Sequence, residues 1–164
     1  MSILSLAVTI LSLLGLGALF GTSLYDAVVL APNLQGGPAG LEHGRLFMAA
    51  ATPANLFRLL SPVVQVLLVL AAVIGWTSPP RRWLLLAALF ALVVSDVITF
   101  TYHYPRLRLM FTAPLTVDPE RLALAARQWT AANLVRIALV LGAWIGTLIA
   151  LGRLVMEPHS APTP

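Results

Sequence analysis

From Leu59 to Trp83 the chain reads LLSPVVQVLLVLAAVIGWTSPPRRW. No charged side chain interrupts it between Leu59 and Pro80, and an α-helix needs about 20 mostly apolar residues to cross the hydrocarbon of a bilayer. Ser78-Pro79-Pro80-Arg81-Arg82 then forms a tight turn, because proline breaks a helix interior but suits a first turn. The run that follows is apolar from Trp83 to Ser95 before it meets Asp96. Two long apolar runs joined by so short a turn read as an antiparallel membrane hairpin.

Working outward, the hairpin spans roughly 54–77 and 83–104, and two further apolar runs lie at roughly 3–31 and 127–153. The first is read as a span and not as a cleavable signal peptide, since Met1-Ser2-Ile3 has no basic region and the run is too long. Composition points the same way. Of the 164 residues 59% are hydrophobic and 10% charged, against about 25% charged in a soluble domain. That excludes disorder and a large soluble core. The lack of cysteine excludes a disulfide scaffold, thiol catalysis and Cys-held metal clusters. The expected fold is all-α: a polytopic membrane protein built as an antiparallel bundle of four transmembrane helices. Residues 1–156 are expected to form one domain and 157–164 a Pro-rich disordered tail.

The net charge is +4, yet all ten basic residues are arginines scattered between apolar runs, so no nucleic-acid patch can be drawn. The loops at roughly 32–53 and 105–126 are longer than the hairpin turn. Gln35-Gly36-Gly37-Pro38 punctuates the first, and Leu41 to Ala51 after it reads as a short interfacial helix. In the second, Asp118-Pro119-Glu120 gives an N-cap, a proline at the first helical position and an acid in the first turn, so the last helix starts near Pro119, outside the bilayer.

Depth is the informative pattern. Polar residues within the spans gather on the long-loop side: Thr22, Asp26 and Asn33; Asn55, Arg58 and Gln65; Asp96, Thr99 and His103; Trp129, Asn133 and Arg136. At about 100° per residue each set shares a helix face. Four polar stripes at one depth describe a cavity. A charge at mid-bilayer costs about 2.5 to 3.5 kcal/mol on insertion scales, so Asp26, Asp96, Arg58 and Arg136 are expected inside the bundle. Two acids and two arginines make a neutral set, for example Asp26 with Arg58 and Asp96 with Arg136. Such pairs pin helices together whether or not they also wall a ligand site. Gly17-x3-Gly21 and Gly142-x3-Gly146 are read as places of close helix approach. His43 beside Glu42, and His103 beside two tyrosines, lack the spacing of helical metal sites, so no metal ligand is assigned. No nucleotide-binding or hydrolase motif occurs.

Asp96-Val-Ile-Thr-Phe-Thr-Tyr-His-Tyr-Pro105, the Asp118-Pro119-Glu120 helix start and Trp129-x3-Asn133-x2-Arg136 together resemble the anthrone-oxygenase-like family of small four-helix membrane proteins, over about Gly15 to Leu151. The resemblance implies oxidation of a polycyclic aromatic anthrone by molecular oxygen, with no flavin or haem cofactor. It carries over Trp129, Asn133, Arg136, Asp96 and His103. In that reading His103 or Asp96 takes the acidic proton, Arg136 and Asn133 hold the oxyanion, and Trp129, Tyr102 and Phe100 hold the flat substrate. Asp26, Asn33, Arg58 and Asn55 complete the expected substrate-binding set. The family pattern has an Asn soon after the proline closing span three, whereas this chain has Arg106-Leu107-Arg108, which bears on the substrate.

The expected partners are the bilayer and a lipophilic small molecule, in a multi-pass protein of the cell membrane. Two other readings use the same residues. A proton-coupled carrier would relay through Asp26, Asp96 and Arg136, and with four spans would need a homo-oligomer. A structural or assembly subunit of a membrane complex would bind no small ligand.

Overall fold

The computed structural model describes residues 2–112 and 118–156. The expected disordered tail, 157–164, lies outside them. Five helices follow one another: α1 (Ile3–Leu34), α2 (Gly37–Phe47), α3 (Pro53–Ile74), α4 (Pro79–Thr112) and α5 (Pro119–Met156). Prolines sit in the first turns of α2, α3, α4 and α5, where a missing N–H costs nothing. Ser2 caps α1 by accepting the Ser5 N–H at 3.1 Å. Asp118 accepts the Glu120 N–H at 2.9 Å, as an N-cap before Pro119 should. The short helix of the first long loop is present, but it covers Gly37–Phe47 instead of starting at Leu41. Pro38 opens it earlier than the apolar pattern suggested.

The four long helices pack as a square. α1 lies against α3 and α5, and α4 against the same two, so each span neighbours the next and the last closes on the first. All four are apolar enough to cross a membrane. Large side chains such as Leu14, Leu59, Val73, Phe90 and Leu134 point away from the bundle, as lipid-facing residues do. The chain is a multi-pass membrane protein.

Length divides the bundle into two tiers. At 1.5 Å per residue α3 is about 33 Å long, close to the ~30 Å hydrocarbon core, while α1, α4 and α5 reach about 48, 51 and 57 Å. The lower tier, towards the Pro79-Pro80 turn, is a dry core that includes Leu16, Leu19, Val64, Leu68, Leu85 and Val140. Buried Thr9, Ser12, Ser23 and Thr147 donate to the carbonyl one turn back in their own helices, so no hydroxyl is stranded in lipid. The upper tier is a second core, where Leu34, Leu41, Met110, Leu122 and Trp129 come together under α2. Arg45 of α2 donates to the Met110 carbonyl at 2.8 Å and ties this roof to α4.

Where the tiers meet, two helices widen into π-turns: Asp26–Leu30 in α1 and Thr99–His103 in α4. In each, an N–H reaches the carbonyl five residues back, Ala31 to Asp26 and Tyr104 to Thr99. Each segment is followed, one residue on, by a proline, Pro32 and Pro105. In a regular helix the proline ring would press on the carbonyl four residues earlier and leave it without its donor. The wider turn accommodates both effects, and π-turns of this kind concentrate at functional sites.

Close approach falls elsewhere than at the Gly-x3-Gly pairs. Gly21 and Gly142 face open space, Gly17 lies beside Trp144 and Gly146 beside the Leu84 carbonyl. Between packed spans the tight contact is at Gly15 of α1, where an added Cβ would stand 2.4 Å from Cγ2 of Val64, a fully buried residue of α3. Gly15→Ala is therefore expected to cost about 1–3 kcal/mol by overpacking. Gly142→Ala should be neutral or gain up to about 1 kcal/mol from lost backbone entropy. Thermal unfolding of the two variants in one detergent tests the contrast.

Candidate functional site

The junction of the tiers holds a cavity of about 260 Å³. Its depth follows from helix geometry: His103 lies 20 residues beyond Trp83, about 30 Å along the axis, so the cavity sits near the edge of the hydrocarbon on the long-loop side. Asp26 and Leu30 reach it from α1, Phe57 and Arg58 from α3, and Trp129 and Arg136 from α5. α4 supplies the most wall, with Thr99, His103, Tyr104, Leu107, Arg108 and Phe111. Met48 and Thr52, between α2 and α3, close the remaining side.

The floor is charged and buried. Nη2 of Arg136 donates to Oδ2 of Asp26 at 2.5 Å and to Oδ1 of Asn133 at 2.7 Å. The Asn133 amide donates at 3.3 Å to the carbonyl of Ser23, just ahead of the α1 π-turn. The guanidinium carbon of Arg136 lies 4.3 Å from the centre of the Phe57 ring, a cation–π contact that helps replace lost water. One arginine thus engages α1, α3 and its own helix. His103 meets Trp129 edge to face, ring centres 5.7 Å apart, which joins α4 to α5.

The pairing differs from the expected one. Asp26 takes Arg136, not Arg58. Asp96 is bonded by Ser61 and Gln65 of α3, each 2.6 Å from its Oδ2, and does not pair with Arg136. Arg58 turns to Tyr104, donating to its hydroxyl at 3.2 Å and lying 5.0 Å from the ring centre. Asp96 lies on the side of α4 that faces α3, where Ser61 and Gln65 are within reach, while Thr99 and His103 further along line the cavity.

Of the ten candidate residues, the structure places Asp26, Arg58, His103, Trp129 and Arg136 in the cavity wall. Asn133 stands behind them and holds Arg136. Asp96 belongs to the neighbouring Ser61–Gln65 cluster. Tyr102 is turned outwards under Arg106, whose guanidinium lies 3.3 Å from its ring centre and bonds Gln128 at 3.0 Å. Asn33 and Asn55 are exposed outside the lining, Asn33 bonding its own helix at Val29. Phe100 is exposed and meets Tyr104 edge on. Phe57, Tyr104, Arg108 and Phe111 are lining residues that the polar stripes did not mark.

Several buried polar atoms at this cavity have no hydrogen-bond partner among the described residues: Oδ1 of Asp26, both ring nitrogens of His103, Nε1 of Trp129 and Nε of Arg136. The Ala132 carbonyl is near enough to act on the His103 ring but is outside hydrogen-bonding geometry. These four residues are 0 to 3% exposed. Unpaired polar atoms at such depth are costly in a purely structural cluster. Among the described residues no three His, Asp or Glu side chains converge in a metal-holding group. Compared with family models, curated proteins and solved structures, the chain matches none.

The floor pair should dominate local stability. Asp26→Asn and Arg136→Gln each leave one buried charge uncompensated, with an expected cost of about 3–5 kcal/mol. The double variant leaves none and should cost clearly less than the sum of the two. A double-mutant cycle on detergent-solubilised protein measures that coupling.

Proposed function

We propose that the chain is a membrane oxidoreductase that uses molecular oxygen on a lipophilic aromatic substrate held in the junction cavity, as its resemblance to anthrone oxygenases implies. The observation that carries the reading is the set of unpaired polar atoms on an aromatic-walled cavity. Trp129 and Arg136 offer donors, Asp26 an acceptor, and His103 one of each. A hydroxylated aromatic ketone presents the complementary set, and Phe57, Trp129 and Phe111 suit its flat body. The proposed site of action is the cell membrane, with substrate entering from the lipid.

The chemistry follows from those placements. The imidazole of His103 takes the acidic benzylic proton. Donors from Trp129 and Arg136 hold the negative charge that spreads to the ketone oxygen, and Asn133 fixes Arg136 without touching the substrate. The carbanion adds to oxygen, forming a C–O bond, and the peroxide regains a proton. Loss of the second benzylic hydrogen with cleavage of the O–O bond then releases water and leaves the quinone carbonyl. Oxygen is the oxidant, and one molecule of water leaves for each new carbonyl.

The carrier reading gains less support, because the lower tier beneath Phe57 is filled by Leu16, Leu19, Val64 and Leu68. A subunit that binds nothing would leave the unpaired floor atoms without a purpose.

Conversion of anthrone to anthraquinone by purified protein, followed by visible absorbance with parallel oxygen uptake, tests the proposal. Turnover should exceed that of empty micelles and fall about 10²–10⁴-fold in His103→Ala. A cooperative thermal unfolding transition in that variant shows that it folds. Turnover no faster than micelles, or unchanged in His103→Ala, would remove the assignment.

A further inference from the structure

The floor of the cavity is neutralised but its mouth is not. Three guanidinium groups, Arg58, Arg108 and Arg136, and one carboxylate, Asp26, stand in the wall. Asp26 and Arg136 bond each other. Arg58 and Arg108 are both exposed, and among the described residues neither has a carboxylate partner. Two positive charges therefore face the same opening with no carboxylate among the described residues paired to them.

Their setting is built. The hydroxyl of Tyr104 accepts Nε of Arg58, and its ring lies under the guanidinium, so the outer nitrogens of Arg58 remain available. Arg108 follows Tyr104 by one helical turn on α4 and so flanks the opening from the same side. Leu30, Met48, Leu107 and Phe111 line the space between this mouth and the buried floor. A planar guanidinium binds carboxylate or phosphate with two parallel hydrogen bonds, and at the edge of the hydrocarbon such a contact is screened less than in water.

We infer that the cavity takes an amphiphile with an anionic head, a carboxylate or a phosphate, gripped between Arg58 and Arg108 while its apolar body reaches down to His103 and Trp129. This deepens the reading proposed above by naming the substrate class of the same site: an acidic aromatic lipophile is selected over its neutral counterpart. The two arginines are specificity residues and take no part in the proton transfer. Two sources present that head, a free amphiphilic acid and an anionic phospholipid of the bilayer.

The test uses the full chain in phosphatidylcholine nanodiscs, with anthracene-2-carboxylate and 2-(hydroxymethyl)anthracene as probes and energy transfer from tryptophan as the signal. After subtraction of empty nanodiscs, the carboxylate should bind at least about tenfold tighter than the alcohol. That preference should vanish in the double variant Arg58→Gln/Arg108→Gln and return only in part in Arg58→Lys/Arg108→Lys, which restores the charge without the paired hydrogen bonds, with the alcohol's affinity unchanged throughout. Phosphatidylglycerol in the nanodisc separates the sources: competition with the carboxylate identifies a phospholipid head as the occupant, and its absence identifies a free acid. Equal binding of acid and alcohol to the unaltered protein, or a preference that survives in the double glutamine variant, overturns the inference and leaves the aromatic cavity standing. Failure of both probes to bind overturns the reading of the cavity itself. A strong preference for the acid without anthrone turnover upholds the inference and removes the oxygenase chemistry alone.

Discussion

Arg136 sets the terms for the rest of the structure. A guanidinium held inside a bundle surrounded by lipid has lost the water that would otherwise solvate its charge. It therefore has to be compensated by neighbours. Asp26 supplies the counter-charge, Asn133 a second acceptor, and Phe57 a ring face. Those contacts fix the height of α1 against α5 and bring α3 alongside. His103 is then brought against Trp129, about two helical turns from Arg136 on the same helix.

The two π-turns follow from this constraint. Asp26 opens one and His103 closes the other, and both side chains reach the cavity. Pro32 and Pro105 make a regular helix unfavourable at the same places. Local backbone chemistry and the demands of the charged floor agree, which is what allows irregular backbone to persist at membrane depth. The carbonyl of Ser23 illustrates the economy of the arrangement: it accepts the Asp26 N–H where the regular part of α1 ends and also the Asn133 amide that steadies Arg136.

Much of the architecture could be read from the residues. Runs such as Leu59 to Ile74, the Pro79-Pro80 turn and the Asp118-Pro119 helix start give four spans and their order, because proline and apolar length act locally. The depth of the site was equally legible, since Asp26, Arg58, His103, Trp129 and Arg136 carry groups too costly to face lipid. Pairing within the site was not. A one-residue insertion in a helix changes which face later side chains present, and nothing in Thr99 to His103 states whether the turn is regular. Asp96, which precedes the insertion, went to Ser61 and Gln65 and Arg58 to Tyr104, because several polar partners share that depth and residue type does not rank them. Tyr102 was lost from the cavity for a related reason, because Arg106 offers its ring a cation from the outer side. Apolar wall residues such as Phe57 and Phe111 are indistinguishable in composition from lipid-facing ones.

The tiers also differ in mechanical character. Below the junction, regular helices interlock through close contacts such as Gly15 on Val64, and any separation there would open voids in a dry core. Above it, α1 and α4 each contain a widened turn with poorer hydrogen bonds and a proline that donates none. The bundle is in effect a stiff stem carrying a compliant rim, with the two π-turns as paired hinges on opposite corners of the square, each beside α5. In the proposed function that division would let a guest spread the rim while the stem keeps the two sides of the membrane sealed from each other, separating admission from leakage.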